Sequence, residues 1–458
     1  MPSYTGKYQY QPSGGGAAQE GACRLAFERD TLTLVPDSGE PLALDLGDID
    51  VFAPSDYELS LTVYTGDKIL LRQFGKAFPN LVHDLLEAYR ARLVQCLLLE
   101  DLEEVARFEG TARLETSNPD RQPSTGPAEF RLYKSNLAVL PLGATGFQWR
   151  LADIDAVRLD EAGYSVNLDS PGEHLIAGKL AKRTREFSER VTEGMRQVSE
   201  QGAKALRQLF PFLSPDQFQR VAHSMKEGRA AALAALGAIH PRIEQALFEN
   251  ALDAPLRPFF AALKQLAWTG GAFAGFKLVR ADEADPAGAG GIENDDAEEE
   301  DSAVSDITDS EAHSAGGEAG ETQPVLHWFF FPIAGKVGPA PANLVAWEAT
   351  SRTGRATYFF RLLPPDQAAQ LQDASRVAAV VEAAVRQLNS ALVLLNFHRE
   401  PIYLPDDSLE MQPRLHRYAI ATRKIVELRR LRASFLGRAI HTSLEAWQHQ
   451  VNEILARA

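Results

Sequence analysis

The residues best suited to hold a metal stand together near the carboxy terminus, where His441, Glu445 and His449 follow at intervals of four. On a helix, positions eight apart lie about 12 Å from each other along the axis, so one ion cannot take both histidines. A pair such as His441 and Glu445 needs further ligands from elsewhere, and no metal is expected. The sequence holds no phosphate loop, no Gly-x-Gly-x-x-Gly turn after a strand, no Gly-x-Ser-x-Gly elbow and no metalloprotease histidine pair. No catalytic residue and no cofactor follow from it. The chain reads as a non-enzyme, with an enzyme lacking any linear motif as an alternative.

The chemistry that remains is that of charge. Lys179, Lys182, Arg183 and Arg185 cluster where a strand gives way to a helix. Exposed N–H groups at a helix start favour anions, so this cluster is a candidate anion site. Between Pro413 and Arg438, Glu427 alone opposes eight basic residues: Arg414, Arg417, Arg423, Lys424, Arg429, Arg430, Arg432 and Arg438. Ile425, Leu428, Leu431, Phe435, Ile440, Leu444, Trp447, Val451 and Ile454 keep helical spacing through the same stretch. That pattern predicts one amphipathic helix from about Pro413 to the end. Its basic half, with Arg423, Lys424, Arg429, Arg430 and Arg432, suits a partner helix or an anionic surface.

The opposite sign is concentrated in 281–323, which carries 15 Asp and Glu, no Lys or Arg and the run Glu298, Glu299, Glu300, Asp301. Without aromatic residues it cannot bury enough apolar surface to offset chain entropy, so a disordered acidic insertion is expected. Two roles present themselves: binding a basic partner, or folding back to mask the basic helix. The whole chain has a formal net charge of -15, and with the tract set aside 47 acidic residues face 47 basic ones. This is a neutral body with an acidic tether. The expected partners are proteins, basic ones among them; nucleic acid is not expected, and a membrane surface is an alternative.

Those charges need a framework. A chain of 458 residues with 45% hydrophobic content has material for two to four domains. Met1 to Ala22 is polar and Gly-rich, so 1–21 is expected to be disordered rather than a secretory signal. No stretch reaches the roughly 18 unbroken apolar residues of a membrane span; the nearest, Pro258 to Phe276, contains Lys264 and Gln265. Two cysteines, Cys23 and Cys96, fit a reducing compartment, the cytoplasm.

Residues 22–100 read as short strands followed by a helix with Phe78, Leu81, Leu85, Tyr89, Leu93 and Cys96 on one face. The programme repeats over 110–210, closing with Phe187, Val191, Met195 and Val198. Local wording repeats too. Leu46-Gly-Asp-Ile-Asp50 matches Leu151-Ala-Asp-Ile-Asp155, and Tyr57-Glu-Leu-Ser-Leu61 matches Tyr164-Ser-Val-Asn-Leu168. Residues 211–268 read as a helical connector, entered through Ser214-Pro215-Asp216-Gln217. The remainder, 269–458, reads as a third α+β domain split by the acidic insertion. In it, His327-Trp-Phe-Phe-Phe331 demands cover on both faces of its strand.

Six or seven short strands, an Asp-Ile-Asp step in mid-module and one closing helix resemble the pleckstrin-homology (PH-like) superfold. The resemblance implies two tandem half-open barrels of α+β class, each plugged by its carboxy-terminal helix, with the third domain a more divergent candidate. In phosphoinositide-binding members the basic residues surround the first two strands. Here those stretches offer Arg24 and Arg29, then Arg131 and Lys134, so lipid binding stays the alternative to a protein scaffold. Tandem PH-like modules with an acidic segment also resemble the layout of FACT-type histone chaperones, although there the acidic stretch is terminal.

Overall fold

The computed structural model describes residues 3–118, 121–252, 254–268, 271–278, 325–334, 341–350, 356–362 and 374–457. The acidic tract, with Glu298, Glu299, Glu300 and Asp301, lies outside them.

The first unit starts earlier than composition indicated. Ser3–Gln11 is a strand (β1), not a disordered leader. Its tyrosines supply the period of two: Tyr4 and Tyr8 are buried while Thr5 and Lys7 face out. Tyr4 donates to Asp84 at 2.6 Å and Tyr10 to Asp67 at 2.9 Å. Gly6 permits close packing, since a Cβ there would fall 2.7 Å from the Phe74 ring. With β1 placed, the first loop of this unit is 12–18, which contains no basic residue.

The unit continues through β2 (Gln19–Glu28), β3 (Thr31–Pro36), β4 (Leu42–Asp45), β5 (Ile49–Ser55), β6 (Glu58–Val63) and β7 (Lys68–Arg72) to helix α1 (Phe78–Cys96). Its counterpart has β8 (Glu104–Thr116), β9 (Ser124–Tyr133), β10 (Asn136–Pro141), β11 (Phe147–Arg150), β12 (Ala156–Leu159), β13 (Ser165–Ser170), β14 (Glu173–Gly178) and α2 (Thr184–Leu209). The sheets run β4-β3-β2-β1-β7-β6-β5 and β11-β10-β9-β8-β14-β13-β12, the same order twice. In each, a 3-10 turn joins the two edge strands, at Leu46–Asp48 and Leu151–Asp153. The helices plug the cores: Tyr89 stacks on Phe52 at 5.4 Å, and Phe187 meets Phe108 at 5.1 Å.

The connector folds as α3 (Pro215–Ser224), α4 (Leu233–Ile239), α5 (Arg242–Ala251) and α6 (Arg257–Leu266). Ser214 and Gln217 form the anticipated reciprocal cap on α3. The third domain has β15 (Ala231–Ala232), β16 (Phe273–Leu278), β17 (Val325–Ala334), β18 (Pro341–Ala349), β19 (Ala356–Arg361) and β20 (Phe435–Ile440) in consecutive order. It is α+β, but this meander differs from the order of the two PH-like sheets. Leu278 pairs with Val325, so the acidic insertion joins two neighbouring antiparallel strands.

Among the described residues, five helices lie between β19 and β20: α7 (Ala374–Leu394), α8 (Glu400–Tyr403), α9 (Asp406–Met411), α10 (His416–Lys424) and α11 (Val426–Ser434). After it comes α12 (Leu444–Arg457). The single helix expected from Pro413 onward is therefore broken twice. Ile425 is extended between α10 and α11, and Phe435–Ile440 is recruited as a strand against β19. Tertiary pairing has overridden helical periodicity there.

Both faces of the third sheet are covered, as its aromatic strand required. Trp328, Phe330, Trp347 and Phe360 pack under α7, α10 and α11, in a core continuous with that of the first unit. Phe329, Phe331, Ala346 and Phe359 face the connector helices and Trp447 of α12. The barrel interior of the second unit forms its own core, while Tyr133, Ala138 and Leu140 on its outside join the first and Leu206 of α2 joins the connector core. Within α7, Val377–Leu394 is long and apolar enough to cross a membrane, by length and composition. Here Val377, Val381, Val385, Leu388 and Leu392 are buried in the shared core.

Candidate functional site: two acidic corners

In the first unit the turn after β4 is fixed by Asp45, whose carboxylate accepts from Gly47 N at 2.7 Å. Arg92 of α1 clamps the same carboxylate with contacts of 3.0 and 2.7 Å. Such a paired geometry holds the corner rigid. A Cβ on Gly47 would fall 2.7 Å from Cys96 Sγ, 2.9 Å from Asp45 Oδ1 and 3.0 Å from Ile420 Cγ2, so only glycine lets α10 approach. Asp48 and Asp50 then meet the basic segment. Arg423 lies 3.5 Å from Asp48, and Lys424 lies 3.2 Å from Asp50 while donating to the Ile49 carbonyl. Lys424 is only 4% exposed.

Electrostatics follow that burial. Desolvation raises the Asp48 carboxyl, with Arg423 opposing it. Burial pushes the Cys96 thiol up to about 12 despite the nearby Lys424 and Arg92, so this cysteine is an inert packed thiol. Burial pulls the Arg423 guanidinium down, but Glu410 and Asp48 outweigh it and the net shift is upward.

The second corner keeps the Asp-Ile-Asp step but has Arg150 and Ala152 where the first has Asp45 and Gly47, and its contact is looser. Arg150 holds Asp153 through two bonds of 2.7 Å and donates to Gly228 O at 2.8 Å. Asp155, the counterpart of Asp50, lies 3.2 Å from Lys226 and 3.7 Å from Arg229. Gly228 has φ +73°, and a Cβ there would fall 1.8 Å from Arg150 Nη1. Buried Asn389 of α7 donates to the same Gly228 carbonyl at 2.9 Å and accepts from Trp328 Nε1 at 2.9 Å. This polar chain joins the second unit to the third domain.

The proposed basic face is thus largely internal. Besides Arg423 and Lys424, Arg432 donates to Pro401 O, Leu404 O and Asp406 at 2.7–2.9 Å. Arg430 reaches Gln387 at 3.3 Å, and Arg429 is exposed. Among the described residues, Arg423, Lys424 and Arg432 already meet Asp48, Asp50, Asp406 and Glu410, so these three are not a free cationic face for the acidic tract to mask.

The anion cluster does not converge either. Arg183 pairs with Glu186 at 2.9 Å, donates to Arg107 O and stacks on Phe108, while Arg185 pairs with Glu189 at 2.8 Å. Lys179 and Lys182 are exposed. His441 is buried beside Thr357 at 3.0 Å and stacks on Phe259, whereas His449 lies by Glu453. Among the described residues no group of three or more His, Cys, Asp or Glu is placed to hold a metal. The repeated Leu-x-Asp-Ile-Asp wording marked the corners as structural, and its paired carboxylates were the overlooked signal for what docks there.

Strand order and closing helices define the class: an α+β protein with two PH-like half-open barrels, a helical connector and a third α+β domain. No family model and no curated protein matches the chain. It is similar to the solved pleckstrin homology (PH) domain of USP37, at 16% identity and TM-score 0.16, over 19% of this chain and 97% of that one. It is also similar to the Spt16D Pob3N heterodimer, at 15% identity and TM-score 0.15, over 37% of this chain and 84% of that chain.

Proposed function

We propose that the protein is a non-catalytic protein-interaction scaffold of the cytoplasm, in which the PH-like units form a fixed platform and the acidic insertion engages a basic partner. The carrying observation is where the charge is left over. The basic carboxy-terminal segment is largely neutralised inside the fold, at Asp48, Asp50, Asp406 and Glu410. The 15 acids of 281–323 account for the whole net charge of -15. An excess of one sign confined to one segment attracts oppositely charged proteins at low ionic strength.

The test is capture from native extract on the full chain and on a variant with the 15 acids changed to amides. A captured protein that elutes as salt rises, and that the variant no longer retains, is the expected result. Equal capture with unchanged salt dependence overturns the reading, as does sedimentation with phosphatidylserine vesicles unaffected by the amide changes.

A further inference from the structure

Between the two units and the third domain lies a cleft of about 730 Å³, a size typical of ligand sites. Its walls come from well-separated parts of the chain: the segment after α1, strands β10 and β11, helix α2, Glu227 after α3, β16, the end of α7, and Arg417 with Tyr418. Its polar lining combines charged side chains with the amides of Asn136, Gln148, Gln197, Gln201 and Asn396, of which Asn136 donates to Gln148 at 2.6 Å.

Two helices end at this cleft. Leu98, with φ +56°, closes α1 as Leu99 N donates back to Val94 O at 3.0 Å. Asn396, with φ +48°, closes α7 as Phe397 N donates back to Leu392 O at 2.9 Å. Both are left-handed helix stops made without glycine. Two carboxy-terminal helix ends bordering one cavity give it a field that favours cations.

The cations already lining the cleft are committed. Lys134 pairs with Glu103 at 2.5 Å, Arg417 with Asp101 and Glu100, and Arg150 with Asp153; Lys277 donates to Asn396. Glu227 differs. Its carboxylate accepts from Leu278 N at 3.3 Å, and none of the ion pairs among the described residues involves it. Burial raises this carboxyl above its ordinary range, with Arg150 and Lys277 opposing. A desolvated carboxylate facing a cavity gains most from a cationic group that brings its own hydrogen bonds.

We propose that this cleft receives a short extended peptide of a protein partner, with a lysine or arginine side chain on Glu227 and peptide amides on the Asn and Gln lining. The site is independent of the acidic insertion and goes beyond the function proposed above.

Four pools of acetylated, amidated hexapeptides, with Lys, Arg, norleucine or Glu fixed at the third position and the other positions randomised, test it by fluorescence anisotropy on the full chain. The Lys and Arg pools are expected to bind about ten-fold more tightly than the norleucine and Glu pools. Glu227→Gln keeps an acceptor for Leu278 N and should abolish the part of that preference that the acidic insertion, present in both proteins, does not supply. Gln201→Lys, on an exposed position of α2, should do the same by offering Glu227 an internal cation. A preference unchanged in Glu227→Gln, equal binding of the norleucine pool, or no binding by any pool overturns the proposal. Loss of the peptide preference with retained extract capture removes the cleft site and leaves the acidic-segment reading standing.

Discussion

The two corners repeat one sequence and meet different neighbours. In the first unit, glycine at position 47 lets α10 descend until Lys424 is enclosed and Cys96 touches the turn. In the second, alanine stands at the matching position 152 and borders open clefts instead. Asp50 therefore holds a buried lysine, with a side chain 2% exposed, whereas Asp155 holds Lys226, 26% exposed. The cores tell the same story. The first unit shares its apolar interior with the third domain, whereas the barrel interior of the second is its own and only its outer residues, Tyr133, Ala138, Leu140 and Leu206, join the neighbouring cores. A duplicated module thus has its corner enclosed by the body in one copy and bordered by open clefts in the other. The turns themselves differ by Gly47 against Ala152 and by Asp45 against Arg150 just before them.

That contrast is open to direct attack. Lys424→Met should cost about 3 kcal/mol, because it strands Asp50 and the Ile49 carbonyl beneath α10. Lys226→Met, at the exposed counterpart, should cost less than about 1 kcal/mol. Chemical denaturation of both variants under one protocol reads the difference. Equal costs would erase the distinction between an enclosed corner and an open one.

A smaller effect sharpens the role of the glycine. Gly47→Ala forces Cys96, Asp45 and Ile420 apart and should cost about 2 kcal/mol. The reciprocal Ala152→Gly should change stability by about 1 kcal/mol or less, the ordinary backbone cost of glycine. Denaturation midpoints check both, and the first variant should also raise the reactivity of Cys96 toward a thiol reagent as α10 lifts.

Much of this architecture was legible in the sequence. The repeated Asp-Ile-Asp step and the change from strand to helical period located both barrels. The four consecutive apolar residues after His327 required a sheet covered on both sides, and it is. What stayed hidden has physical causes. Gly, Ser and Gln among the tyrosines of 3–11 disguised β1, whose pairing with both β2 and β7 is non-local. Continuous helical spacing across 413–458 concealed a strand, because pairing with β19 depends on residues some 80 positions earlier. Charge counts revealed the basic segment but not its partners, since Asp48 and Asp50 lie more than 370 positions away in sequence. The cleft around Glu227 had no linear signature, as segments spread from Leu98 to Tyr418 build it.

The decisive measurement is a pair of double-mutant cycles, Asp50→Asn with Lys424→Met and Asp155→Asn with Lys226→Met, read by denaturant unfolding of the full chain. Strong coupling at the first pair, about 2 kcal/mol or more, beside coupling under about 0.5 kcal/mol at the second is the predicted outcome. Negligible coupling between Asp50 and Lys424 would contradict it, and would return the basic segment to the list of surfaces free for a partner.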